Sequence, residues 1–166
     1  MVETQITEEM IKIAKDRRAV MPNVIRNSIM GGERTFEGCL GEVVVANYLS
    51  ADYLTTYDFD LMYNEKKIEV KTKVRTVFPK PFYEVSIANY NTKQLCDYYV
   101  FVSLYVPNKD EYPTIAHIVG YFPKDDYISR STFLKKGDID RRNNYTVRAD
   151  CWNMAIQDLK KINDLK

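Results

Sequence analysis

A mixed β-sheet flanked by helices, of α/β or α+β class, is the fold the sequence predicts. Three observations predict it. Apolar residues recur at helical spacing near both ends of the chain. The middle alternates short β-prone runs with turn residues. The run YYVFVSLYV at 98–106 is continuously apolar, as suits a strand buried on both faces. Runs of strands broken by helices fit a mixed sheet. At 166 residues the chain is long enough for one domain, 1–166, with one sizeable core.

Residues 6–20, ITEEMIKIAKDRRAV, read as the first helix. Thr7 serves as N-cap, Glu8 and Glu9 complement the dipole, and Pro22 stops the helix. The stretch from 23 to 38 reads as a loop. Residues 38–49, GCLGEVVVANYL, carry three valines that favour a strand, yet Leu40, Val44, Val45, Tyr48 and Leu49 keep helical spacing. A helix with Glu42 near its start is expected. A meander follows: strand 54–63, a turn at Asn64 and Glu65, strand 67–77, and strand 82–88 after Pro79 and Pro81. A short helix over 91–97 leads into the buried strand 98–106, and another strand spans 114–121. Residues 123–143 are irregular with one helical turn, and 144–148 form a strand. Trp152, Ala155, Ile156, Leu159, Ile162 and Leu165 predict a C-terminal helix.

Composition excludes several classes. Net charge is +1, so a nucleic-acid binder must use a local basic patch. The three cysteines, Cys39, Cys96 and Cys151, are widely spaced, which argues against a zinc site or a disulfide framework. Free thiols suit a reducing compartment. MVETQITEEM lacks the pattern of a secretory signal, and no apolar run reaches membrane-spanning length. A cytoplasmic protein without a membrane partner is expected. Thirteen Tyr and seven Phe fit amphipathic core edges or stacking surfaces for a polymer.

The segment YDFDLMYNEKKIEVKTK, 57–73, carries the chemistry. With a two-residue turn at Asn64-Glu65, Tyr63 faces Lys66, Asp60 faces Glu69, and Asp58 faces Lys71. Side chains two apart share a face of a strand, so all four groups gather on one side. Two adjacent carboxylates repel, and a hard divalent cation removes the conflict. The Val70 backbone carbonyl can supply a further ligand. A lysine beside them can hold or deprotonate a water, or balance charge on a phosphate. The other reading of the same residues is an exposed hairpin face laced with salt bridges.

The segments G-x-x-G-E at 38–42, YDFDL at 57–61 and KIEVKTK at 67–73 resemble the PD-(D/E)XK, or restriction endonuclease-like, nuclease superfamily. The likeness spans about residues 36–106, and its general look is that of small phage or bacterial members. It implies a helix-flanked mixed sheet and Mg²⁺- or Mn²⁺-dependent endonuclease cleavage of nucleic acid, DNA foremost, in host cytoplasm for a phage protein. It implies Glu42 as the helix acid and a metal ligand or orienting group, Asp60 as the hairpin acid, and Glu69 with Lys71 as the E-x-K pair. Phe59 stands where many members carry proline, and Asp58 competes with Asp60 for the hairpin role. CDYYVFVSL resembles the helix-to-strand step that follows the core in many members.

Other residues are secondary candidates. Lys73 and Arg75 line a phosphate groove or a solvated face, and Lys93 and Gln94 are placed to approach the site. Arg17, Arg18, Arg26 and Arg34 give the N-terminal region a basic bias suited to positioning phosphates. Arg141, Arg142 and Arg148 form a basic cluster, Asp97 is an acceptor for backbone donors, and His117 is a structural residue. Two alternatives stay open: a nucleic-acid-binding module of the same fold that does not cut, and an interaction domain whose hairpin is merely salt-bridged. Pairing of two copies is also open.

Overall fold

The computed structural model describes residues 1–20, 35–54, 56, 58–108, 111–140 and 145–166, the side chain of Val20 excepted. Arg26, Arg34, Arg141 and Arg142, and Tyr57 of the YDFDL segment, lie outside the described residues.

The fold is α+β with a mixed central sheet. In chain order its elements are β1 (Val2–Gln5), α1 (Glu8–Val20), α2 (Phe36–Leu49), β2 (Asp52–Tyr53), β3 (Leu61–Tyr63), β4 (Lys66–Arg75) and β5 (Glu84–Ala88). Then come β6 (Tyr98–Tyr105), β7 (Ile115–Pro123), α3 (Lys124–Arg130), β8 (Thr132–Leu134), β9 (Ile139–Asp140), β10 (Tyr145–Thr146) and β11 (Cys151–Ala155). The central sheet runs β1-β7-β6-β4-β3-β2. Its neighbours are antiparallel except β4 and β6, which pair in parallel from Ile68 opposite Tyr98 to Arg75 opposite Tyr105. A second sheet, β5-β11-β8, is antiparallel.

The elements follow from local chemistry. Thr7 Oγ1 accepts from Met10 N–H at 3.2 Å and caps α1. Thr35 caps α2 by accepting from Gly38 N–H at 3.0 Å, and Ser50 ends it in the left-handed region with its N–H on Ala46 O. The valines of α2 do not make a strand because the helix is buried on nearly every side, between the sheet and α1. Asn64 (φ 47°) and Glu65 (φ 62°) form the two-residue turn, with both central residues left-handed as that hairpin requires.

Alternation in β4 divides the interior. Ile68 and Val70 pack with Leu40, Val44, Val100, Val102 and Leu104 on the helix side. Thr72 lies on that side too, against Gly41, where an added Cβ would overlap Thr72 Oγ1. Glu69, Lys71, Lys73 and Arg75 face the other way. There a second core joins Tyr99, Phe101 and Phe122 of the central sheet to Val85, Ile87 and Met154 of the second sheet and Tyr127 of α3. Tyr127 is its hub, with ring contacts to Tyr99, Phe101 and Phe122 at 5.6, 5.7 and 6.1 Å.

Several expectations are corrected. The C-terminal helix is instead β11 followed by two short 3₁₀ turns, Ile156–Asp158 and Ile162–Leu165. Residues 151–155 gain ladder partners on both sides, from β5 and β8, which outweigh a weak helical pattern. Of the expected strand 54–63 only β3, Leu61–Tyr63, forms, with β2 just before it at Asp52–Tyr53, because Thr56 turns the chain by exchanging hydrogen bonds with Phe59. The helix expected at 91–97 is a 3₁₀ turn, Asn89–Lys93. β1 went unforeseen; it pairs with β7 at the sheet edge. Among the described residues, no helix is long and apolar enough to cross a membrane.

Candidate active site

The site lies where β3 parts from β4. Their ladder runs Tyr63–Lys66, Met62–Lys67 and Leu61–Ile68 and then stops. Asp60 donates its N–H to Ile68 O at 2.9 Å, takes Leu54 N–H on its own carbonyl at 3.0 Å, and turns its carboxylate back so that Oδ2 accepts from Val70 N–H at 2.8 Å. The amide and carbonyl of one strand residue point the same way. The Val70 carbonyl therefore opens toward the same fork as Asp60.

Glu69 sits on the adjacent face. Lys71 Nζ reaches its Oε1 at 2.6 Å, the short distance expected of a charge-assisted bond between i and i+2 on one face of a strand. Gln94 closes the triangle: its Nε2 donates to the same Glu69 oxygen at 3.0 Å and its Oε1 accepts from Lys71 at 3.2 Å. Those two bonds fix which way the Gln94 amide points. Glu69 is buried, and its pKa rises from 4.5 to about 7. Burial is the main cause and the charge of Asp60 the second, with Lys71 and Gln94 opposing both. Cys96 lies close by; burial, then Glu69, push its thiol up to about 12.

Asp58 does not face Lys71. The ladder ends three residues after it, and Asp58 Oδ1 accepts from Leu95 N–H at 3.2 Å. Asp58 thereby anchors the residue next to Gln94. Asp97 is a backbone acceptor as expected, taking Lys67 N–H at 2.7 Å and tying the start of β4 to that of β6.

Glu42 is buried on α2 and takes Arg17 Nη2 at 3.0 Å. The Arg17 guanidinium stacks over the Tyr53 ring, 4.2 Å from its centroid. Tyr53 pairs with Leu61 in the strand that delivers Asp60. Burial, opposed by Arg17 and aided by Glu42, raises the pKa of the Tyr53 hydroxyl. Among the described residues, no three of His, Cys, Asp and Glu form a group that could hold a metal.

The remaining candidates scatter. Lys73 and Arg75 continue the row of Lys71, and Lys93 is exposed at the end of its 3₁₀ turn. Arg18 lines an open groove with Lys15, Phe36 and Tyr112, on the α1 side of the molecule. Arg148 stacks on Tyr145 at 5.9 Å. His117 is buried, with Nε2 3.2 Å from Glu3. The cysteines are free thiols. Gln94 reaches the site as its place in the sequence suggested, whereas Tyr53 carried no sequence signal and arrives through contacts between segments distant in sequence.

No protein-family model matches the chain, and a search of curated proteins finds no match either.

Proposed function

We propose that this protein is a metal-dependent nuclease that hydrolyses phosphodiester bonds in nucleic acid, DNA foremost. The observation that carries the reading is Glu69 in direct contact with Lys71 and near enough to Asp60 to feel its charge, at the fork where β3 leaves β4. Their donor chemistry fits a hard divalent cation. Glu69 is held near neutrality by burial and by the charge of Asp60, and a second positive charge would relieve both. Asp60, Glu69 and the Val70 carbonyl would hold Mg²⁺ or Mn²⁺, leaving room for waters and phosphate oxygens. The ion, when bound, supplies Lewis acidity to the phosphoryl group and lowers the pKa of water.

The chain's own groups do the rest. Lys71 orients water or offsets charge growing on the phosphate. Gln94 holds Lys71 and Glu69 in register with each other. Glu42 takes an orienting part: through Arg17 and Tyr53 it steadies Leu61, the first residue of β3 and the neighbour of Asp60.

The test is cleavage of plasmid, branched and single-stranded substrates with Mg²⁺, with Mn²⁺ and with EDTA. Metal-dependent cutting that disappears in a folded Lys71→Ala variant is the expected result. Full activity in that variant refutes the mechanism. A second reading is a binding module that does not cut. It predicts binding unaffected by EDTA and no cleavage at all.

A further inference from the structure

Beyond Lys71 the same face of β4 carries two more cations, Lys73 and Arg75. Strand geometry spaces them about 6.6 Å apart in a straight row. Phosphates on one strand of a duplex wind away from such a line, advancing only about 3.4 Å each along the axis. A straight row suits an extended strand instead. Arg75 is half-buried at the end of the row: it donates to the Glu84 carbonyl at 2.8 Å, and its guanidinium lies over the Tyr83 ring at 5.1 Å.

The row ends at aromatic rings. Tyr83 meets Phe82 edge-on at 5.1 Å, and Phe82 is 62% exposed. Phe78, 47% exposed, packs at 4.6 Å against Tyr105 and at 5.1 Å against His117. Tyr105 is the register partner of Arg75, so Phe78 stands on the cationic face. Cations that track a backbone, joined to rings open to bases, are what single-stranded nucleic acid requires.

We infer that the substrate is single-stranded, or a single-stranded tail, laid along β4 with phosphates on Lys71, Lys73 and Arg75 and a base stacked on Phe82. The inference rests on the nuclease reading for the role of Lys71, but binding and cutting are measured separately.

The experiment is fluorescence anisotropy in EDTA with labelled (dT)20 and a 20-base-pair duplex across a salt series. The single strand should bind at least tenfold more tightly. Phe82→Ala should weaken it roughly tenfold and leave the duplex unchanged. Lys73→Gln should reduce the slope of log K against log salt by about 0.7, one phosphate contact. Thermal melts check that both variants fold. Equal affinity for both probes, or an unaltered Phe82→Ala variant, overturns the inference. So does sedimentation showing a dimer that Phe82→Ala dissociates, since Phe82 would then be a self-association contact. Metal-dependent cutting of duplex by both variants at full rate would sink this inference and leave the nuclease reading standing. Tight single-strand binding without cleavage of any substrate would do the reverse.

Discussion

Replacing Glu69 by Gln should stabilise the metal-free protein while removing its activity. Burial and the neighbouring Asp60 raise the Glu69 pKa from 4.5 to about 7. Between those values the folded chain binds a proton that the unfolded chain has released, so stability falls as pH rises through that window. At about 1.4 kcal/mol per tenfold change in proton affinity, the full cost is about 3 kcal/mol above pH 7. Gln keeps the shape of the protonated acid and never ionises. The groups facing it, Asp60, Lys71, Gln94, Cys96 and Tyr99, stay in place. The assay is urea denaturation in EDTA at pH 5 and pH 8 for both proteins. The variant's advantage should grow by about 2.5 kcal/mol between the two pH values, since at pH 5 the unfolded carboxyl has already begun to ionise. A difference that stays flat with pH, or a variant less stable at pH 8, refutes the account of this carboxylate. Millimolar Mg²⁺ should then raise the stability of wild type and not of the variant, because only the native carboxylate pair binds the ion.

Three further outcomes are expected. Lys71→Ala should lower metal-dependent cleavage by roughly 10²- to 10⁴-fold in a plasmid assay, with an unchanged circular dichroism spectrum. Gly41→Ala should cost about 1–3 kcal/mol in denaturant titration, since the new methyl would overlap Thr72 Oγ1 and stand 3.0 Å from its Cβ. Thr72→Ala in the same chain should recover part of that loss. Arg17→Ala should cost about 1.5–3 kcal/mol, the worth of a charged hydrogen bond, and should lower cleavage by loosening the strand before Asp60.

Much of the frame is written locally. Asn64 and Glu65 adopt the left-handed pair that a two-residue hairpin needs, and that turn sets Leu61 opposite Ile68. Once the register is set, a period of two sends Glu69 and Lys71 to one face and Val70 to the other. The apolar run at 98–106 and the body of α2 from residue 38 were legible for the same reason: their signals span only neighbouring residues. What depends on distant partners was not legible. Residues 151–155 form a strand because β5 and β8 offer edges, although their own spacing hints at a helix. Gln94 reaches Glu69 across 25 residues, and Glu42 finds Arg17 across another 25. The sequence by itself determined the hairpin and the facing of the acid–lysine pair. Tertiary structure alone decided which atoms Gln94 binds, that Asp58 turns to Leu95, and that Glu42 pairs with Arg17, because those contacts form only when separate elements pack.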